Sequence, residues 1–146
     1  MKSLNNFMIK YLAIIILVII MSAPALVFAQ SINCSMIDGA YIYSYQGYSY
    51  SGDNWKFIGS IDNKFNADSI ANQFSVYGSQ FSVDSINDTF GSFGSQFSAE
   101  SAFNDYASNP PILVTPNGSW GYLTTNQYRY PHVSPYFALA CAEQSY

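Results

Sequence analysis

The clearest alternation of apolar and polar positions lies just past residue 40. Tyr41, Tyr43 and Tyr45 interleave with Ile42 and Ser44, a period of two that predicts a β-strand. Gln46-Gly47 and Ser51-Gly52-Asp53-Asn54 carry turn chemistry, and residues 55–61 predict the return strand of a hairpin. Gly59 inside that strand predicts a bulge or the close approach of another backbone. The same pattern recurs later. Residues 111–115 predict a strand, Pro116-Asn117-Gly118 a turn, and residues 119–124 a return strand, with Asn-Gly between apolar runs as the hairpin signal. The two predicted hairpins end alike, in Asn63-Lys64-Phe65 and Asn126-Gln127-Tyr128. At the C-terminus Ser134 has N-cap character and Pro135 suits the first helical position, so the apolar run from Tyr136 to Ala142 predicts a helix.

Between the hairpins a 16-residue unit is written about two and a half times, over residues 65–106. Phe65-Asn-Ala-Asp-Ser-Ile and Phe81-Ser-Val-Asp-Ser-Ile open the first two copies, which agree at eight of sixteen positions. Copy three starts at Phe97 and dissolves at Asn109-Pro110-Pro111. Residues 83–87 are expected to make about one helical turn, with Asp84 early in that turn and Gly91 and Gly94 closing the unit. Such a turn is too short to stand alone. Phe81, Phe90, Phe93 and Ile86 are therefore expected to be buried against a small sheet. The predicted fold class is α+β: two short β-hairpins bracketing a 16-residue repeat region of helical turns, with a C-terminal helix.

The N-terminal 29 residues change where this domain is expected to work. Lys2 and Lys10 flank the start, residues 11–21 are continuously apolar, and Val27-Phe28-Ala29 forms a cleavage box before Gln30. This is the pattern of a secretory signal peptide. A retained membrane anchor competes, because residues 11–29 nearly match the length needed to span a bilayer. A lipoprotein signal is disfavoured by Asn33 before Cys34. The expected organisation is a signal peptide at 1–29 and one secreted or periplasmic domain at 30–146. Cys34 and Cys141 are the two cysteines, and in an oxidising compartment they predict a disulfide that staples the domain's ends together.

Beyond residue 29 three basic residues (Lys56, Lys64, Arg129) face nine acidic ones, a formal charge of −6. Without a basic patch the chain is not expected to bind nucleic acid, nor a membrane after signal cleavage.

The run Tyr77-Gly-Ser-Gln-Phe-Ser-Val-Asp-Ser-Ile-Asn87 resembles a bacterial pattern, Y-G-S-x-Y-S-x-D-S-I-x-N. Pro110-Pro111-Ile112-Leu113 and Gly121-Tyr122-Leu123-Thr124 match the strand and hairpin that follow it there. Over residues 55–137 the chain thus resembles an uncharacterised family of small secreted bacterial proteins. The resemblance implies a small secreted or envelope protein and carries no catalytic residue. The chain departs from the pattern where the proline of an N-P-Y step is replaced by Lys64, Gln73, Thr89, Asp105 or Gln127. The tyrosine-rich stretch at 40–50 lies outside it.

Candidate chemistry is sparse. His132 is the single histidine and no nucleophile motif accompanies it, so it reads as a loop or capping residue. Asp68, Asp84, Asp88, Glu100 and Asp105 offer carboxylates for an acid hydrolase or for calcium, yet three of them recur at one repeat position, as turn chemistry would. No cofactor is expected, calcium being the one alternative. Aromatic residues are abundant: 23 of the 26 lie beyond residue 29. Tyr41, Tyr43, Tyr45, Tyr48, Tyr50 and Trp120 are the candidate ligand-binding residues, suited to stacking on sugars or peptides. The expectation is a non-enzymatic binding or structural module of the envelope or extracellular space, with polysaccharide or an envelope protein as partner. The alternatives are a small hydrolase using acidic residues and a calcium-stabilised structural protein.

Overall fold

The computed structural model describes residues 33–47 and 54–145. The signal-peptide segment, Tyr48 and Tyr50 lie outside the described residues. Five strands form one mixed sheet: β1 (Tyr41–Tyr45), β2 (Trp55–Ser60), β3 (Ile112–Val114), β4 (Trp120–Leu123) and β5 (His132–Val133), in the order β2-β1-β3-β4-β5. One helix, α1 (Pro135–Gln144), closes the chain. This corrects the predicted architecture. β1 pairs antiparallel with both β2 and β3, so the strands join in a single sheet instead of two separate hairpins around a repeat region. β5 adds parallel to β4, with Tyr122 opposite His132. Two residues carry no period, so β5 had no sequence signal, and His132 sits in a strand and not in a loop.

Alternation decides which face of the sheet is covered. Ile42, Ser44, Ile58, Leu113 and Leu123 are buried on the inner face. Tyr41, Tyr43 and Tyr45 fall on the outer face, half-exposed. The pairing of β1 with β2 shifts between Ile42 and Tyr43, at a bulge that Gly59 makes possible. Gly59 has φ +132°, and a Cβ there would stand 2.8 Å from Ile70 Cγ2. Only glycine fits both constraints.

The predicted helical turns are absent. From Asn63 to Ala107 the backbone makes a succession of β-turns, most of them stepping three residues at a time. The N–H of Asn66 bonds the carbonyl of Asn63, Ser69 that of Asn66, Asn72 that of Ser69, and Ser75 that of Asn72. Steps of four, Ser75 to Ser79 and Gly91 to Ser95, punctuate the series. The first residue of nearly every turn caps it with its own side chain. Asn63 Oδ1 accepts from Phe65 N at 3.0 Å, Ser69 Oγ from Ala71 N at 3.1 Å, and Ser85 Oγ from Asn87 N at 3.0 Å. Asn, Ser and Asp compete with helical hydrogen bonding by this local bond, which is why a run of them at every third position forms turns and not helix.

The turn region docks onto the sheet edge and the core. Ser60 N donates to Asp68 O at 2.8 Å and Ile70 N to Ser60 O at 3.0 Å, which covers part of the outer edge of β2. Ile61, Ile70, Ile86, Phe93 and Ala102 join Ile42, Ile58, Leu113 and Leu123 in one core, closed by Ala138, Cys141 and Ala142 of α1. In α1, Pro135, Ala138, Cys141 and Ala142 form the buried stripe. Cys34 and Cys141 are disulfide-bonded, with a Cα–Cα distance of 5.3 Å, so the helix is tied to the segment that leads into β1. Among the described residues no helix is long and apolar enough to cross a membrane.

Candidate functional site

Seven capped turns of the form Asn/Ser/Asp-x-aromatic place their ring in solvent, while an eighth, Ser101-Ala102-Phe103, leaves its ring half-buried against the core. Phe65, Phe74, Phe81, Phe90, Phe97, Tyr106 and Tyr128 are 84–100% exposed. All seven follow the same rule: the aromatic stands two residues after the capping side chain and gives that side chain its N–H. Asn72 caps Phe74, Ser79 caps Phe81, Asp88 caps Phe90, Ser95 caps Phe97, Asn104 caps Tyr106 and Asn126 caps Tyr128. The expectation that Phe81 and Phe90 are core residues is overturned. At these seven turns the third position faces solvent, so apolar character there does not secure burial. Burial goes instead to the turn headed by a buried serine: Ile70, Ile86 and Ala102, each directly after Ser69, Ser85 and Ser101. Phe93, in a four-residue step, does turn inward and is 3% exposed.

The sheet brings together those proposed ligand residues that it contains. Tyr41 lies across from Val114, which lies across from Trp120, and Tyr43 across from Ile112 and then Tyr122. Tyr41, Tyr43, Tyr45 and Trp120 therefore share the outer face. Tyr41 is 48% exposed and Trp120 52%. Tyr43 and Tyr45 are half-buried, their rings edge-on to Phe57 at 5.8 Å and to Trp55 at 5.3 Å. Trp120 packs edge-on against Tyr122 at 5.5 Å, and Arg129 lies over the Tyr122 ring at 5.0 Å. These rings brace one another across the sheet and leave less free surface than the rings of the turn region.

Of the five candidate carboxylates, Asp84 and Asp88 have side-chain partners among the described residues, whereas Asp68, Glu100 and Asp105 have none. Lys56 forms an ion pair with Asp84 and lies over the Phe93 ring at 5.7 Å, which fastens β2 to the turn region. Asp88 is engaged as a turn cap. Among the described residues no three of His, Cys, Asp and Glu gather into a metal-binding group. His132 packs edge-on against Tyr130, and among the described residues its buried Nδ1 has no hydrogen-bond partner. No carboxylate–histidine or nucleophile–histidine bond is formed among the described residues.

The set of exposed turn aromatics is the feature that sequence reasoning missed. Its signal was present, as the repeated step Asn/Ser/Asp-x-Phe/Tyr at Phe65, Phe74, Phe81, Phe90, Phe97, Tyr106 and Tyr128. Comparison with protein-family models, with curated proteins and with solved structures finds no match to this chain.

Proposed function

We propose that this is a secreted, non-enzymatic binding module of the cell envelope or extracellular space, and that its ligand is polysaccharide. The observation that carries the reading is the set of seven aromatic rings, 84–100% exposed, each held on a side-chain-capped turn. Water contact with so many apolar rings is costly: covering one phenylalanine is worth roughly 1.5–3 kcal/mol. Contiguous exposed apolar surface on a folded domain marks a contact site, and Phe74 with Phe81 and Phe90 with Phe97 each wall a shared cleft. The capped turns fix the backbone beneath each ring before binding, so less backbone entropy is lost when a ligand arrives.

Several further observations support the reading. The bonded pair Cys34–Cys141 suits an oxidising compartment, as does the signal-peptide pattern before Gln30. The resemblance to small secreted bacterial proteins points the same way. Asp84, as an ion-pair partner, and Asp88, as a turn cap, are committed to structure, which favours binding over hydrolysis at those two carboxylates.

The test is affinity electrophoresis of the protein from Gln30 onward through gels cast with cell-wall and exopolysaccharide fractions. Retarded migration relative to polysaccharide-free gels is expected. Unretarded migration in every fraction would sink the reading.

A further inference from the structure

Two clefts in the turn region share lining positions sixteen residues apart and differ where Phe103 and Tyr136 line one and Glu143 the other. The first, of about 610 Å³, is lined by Ile70, Gln73, Phe74, Gly78, Gln80 and Phe81. The second, of about 470 Å³, is lined by Ile86, Thr89, Phe90, Gly94, Gln96 and Phe97. Adding sixteen to each number of the first set yields the second. Leu139 of α1 lines both, so the clefts adjoin along the helix. Phe74 and Phe81 wall the first cleft at 100% and 85% exposure, and Phe90 and Phe97 wall the second at 96% and 91%. Gln73, Gln80 and Gln96 are exposed, and among the described residues their amides make no hydrogen bond.

We propose that the two clefts are equivalent subsites for a single neutral polysaccharide chain. Sugar rings stack on Phe74, Phe81, Phe90 and Phe97, while the glutamine amides bond ring hydroxyls. The proposal rests on the binding reading above and adds to it the site, the charge class and the chain-like form of the ligand. Three arguments select this occupant. The first is surface chemistry: a sugar presents C–H faces that suit aromatic walls and hydroxyls that suit amides. The second is charge. Neither cleft contains a cation, and Glu143 is the one charged residue lining either of them, so phosphate and carboxylate polymers meet no counter-charge. The third is periodicity. Two subsites repeated along the protein fit a ligand that repeats along its own length, whereas a folded protein partner offers no second copy of its contact. Joining two weak contacts on one chain multiplies affinity by a factor of about 10²–10⁴.

The experiment uses the protein from Gln30 onward and a panel of soluble neutral polysaccharides: β-glucan, glucomannan, xylan and dextran. Affinity electrophoresis finds the retained polymer, and calorimetry with its oligosaccharides of increasing length follows. Affinity is expected to rise at least tenfold once an oligosaccharide is long enough to reach both clefts. Phe74→Ala with Phe81→Ala, or Phe90→Ala with Phe97→Ala, is expected to abolish that rise while leaving the affinity for short oligosaccharides within about threefold. All four substitutions together abolish binding. The rings are solvent-exposed, so far-ultraviolet circular dichroism and the melting temperature are expected to stay at their unsubstituted values. Retention by a neutral polymer that survives all four substitutions, and is lost instead with Tyr41→Ala plus Trp120→Ala, overturns the cleft proposal and leaves the binding function standing. Retention only by charged polymers does the same. Co-sedimentation with phosphatidylcholine vesicles, or self-association, that depends on these four rings without any polysaccharide retention overturns both.

Discussion

At the scale of the residue, the hydroxyl or amide that heads each turn matters more than the aromatic that follows it. Ser85 is fully buried, and its Oγ accepts the N–H of Asn87 at 3.0 Å. Ser85→Ala strands that N–H without a partner, and is expected to cost about 1–3 kcal/mol. Phe90→Ala removes a far larger side chain from a position 96% exposed and is expected to change stability by less than about 0.5 kcal/mol. Urea denaturation of both variants checks the contrast, and an ordering with Phe90→Ala the more damaging would contradict this account of the turns. The contrast also marks where sequence reading stops at this scale. The composition of the turns was legible, since Asn, Ser, Asp and Gly at these positions announce local side-chain bonding. The direction of each ring was not, because hydrophobicity reports what a side chain prefers and not what space its backbone leaves for it.

At the scale of the element, the turn region holds its shape through bonds that reach from one turn series to the next. Asn87 Nδ2 donates to Ile70 O at 2.8 Å and to Gly78 O at 2.9 Å, joining segments 17 and 9 residues away. Arg129 does the same at the far end, bonding the carbonyls of Ala107 and Ser108 at 3.1 and 2.9 Å. Asn87→Ala is expected to lower stability by about 2 kcal/mol, because two half-buried carbonyls lose their donor. Asn87→Asp is expected to be worse than the alanine, since it sets acceptor oxygens against those carbonyls. Thermal melts of the pair test this, and an aspartate variant as stable as wild type would contradict it. Strands β1 to β4 and helix α1 were foreseeable from period and capping. The turn region was not. A period of three was present in the spacing of Asn63, Asn66, Ser69, Asn72 and Ser75, but the longer sixteen-residue period masks it and suggests helix.

At the scale of the molecule, a small core of mostly aliphatic side chains is closed by one covalent bond between its ends. Among the described residues the buried core contains one phenylalanine, Phe93, alongside Ile, Leu, Ala and Cys, with Phe103 and Phe137 packed against it. A core so lean in aromatic volume stands to gain much from the Cys34–Cys141 bond, which spans 107 residues. In the chain-entropy model a loop of that length is worth about 4–5 kcal/mol. Reduction is expected to shift the urea midpoint sharply downward, and an unchanged midpoint would show that the bond is dispensable. Intact mass after alkylation, with and without prior reduction, verifies that the bond exists and reports whether Gln30 is the first residue. Local pattern alone determined the strand alternation from Tyr41 to Tyr45, the Asn117-Gly118 turn, the terminal helix and the pairing of two cysteines. Each of those depends on neighbours a few residues apart, or on the count of a single residue type. The joining of β1 to β3 across some seventy residues, the docking of Ile70 and Ile86 in the sheet's core, and the outward stand of Phe74, Phe81, Phe90 and Phe97 were decided only by tertiary structure. A turn has no inside until the rest of the chain supplies one.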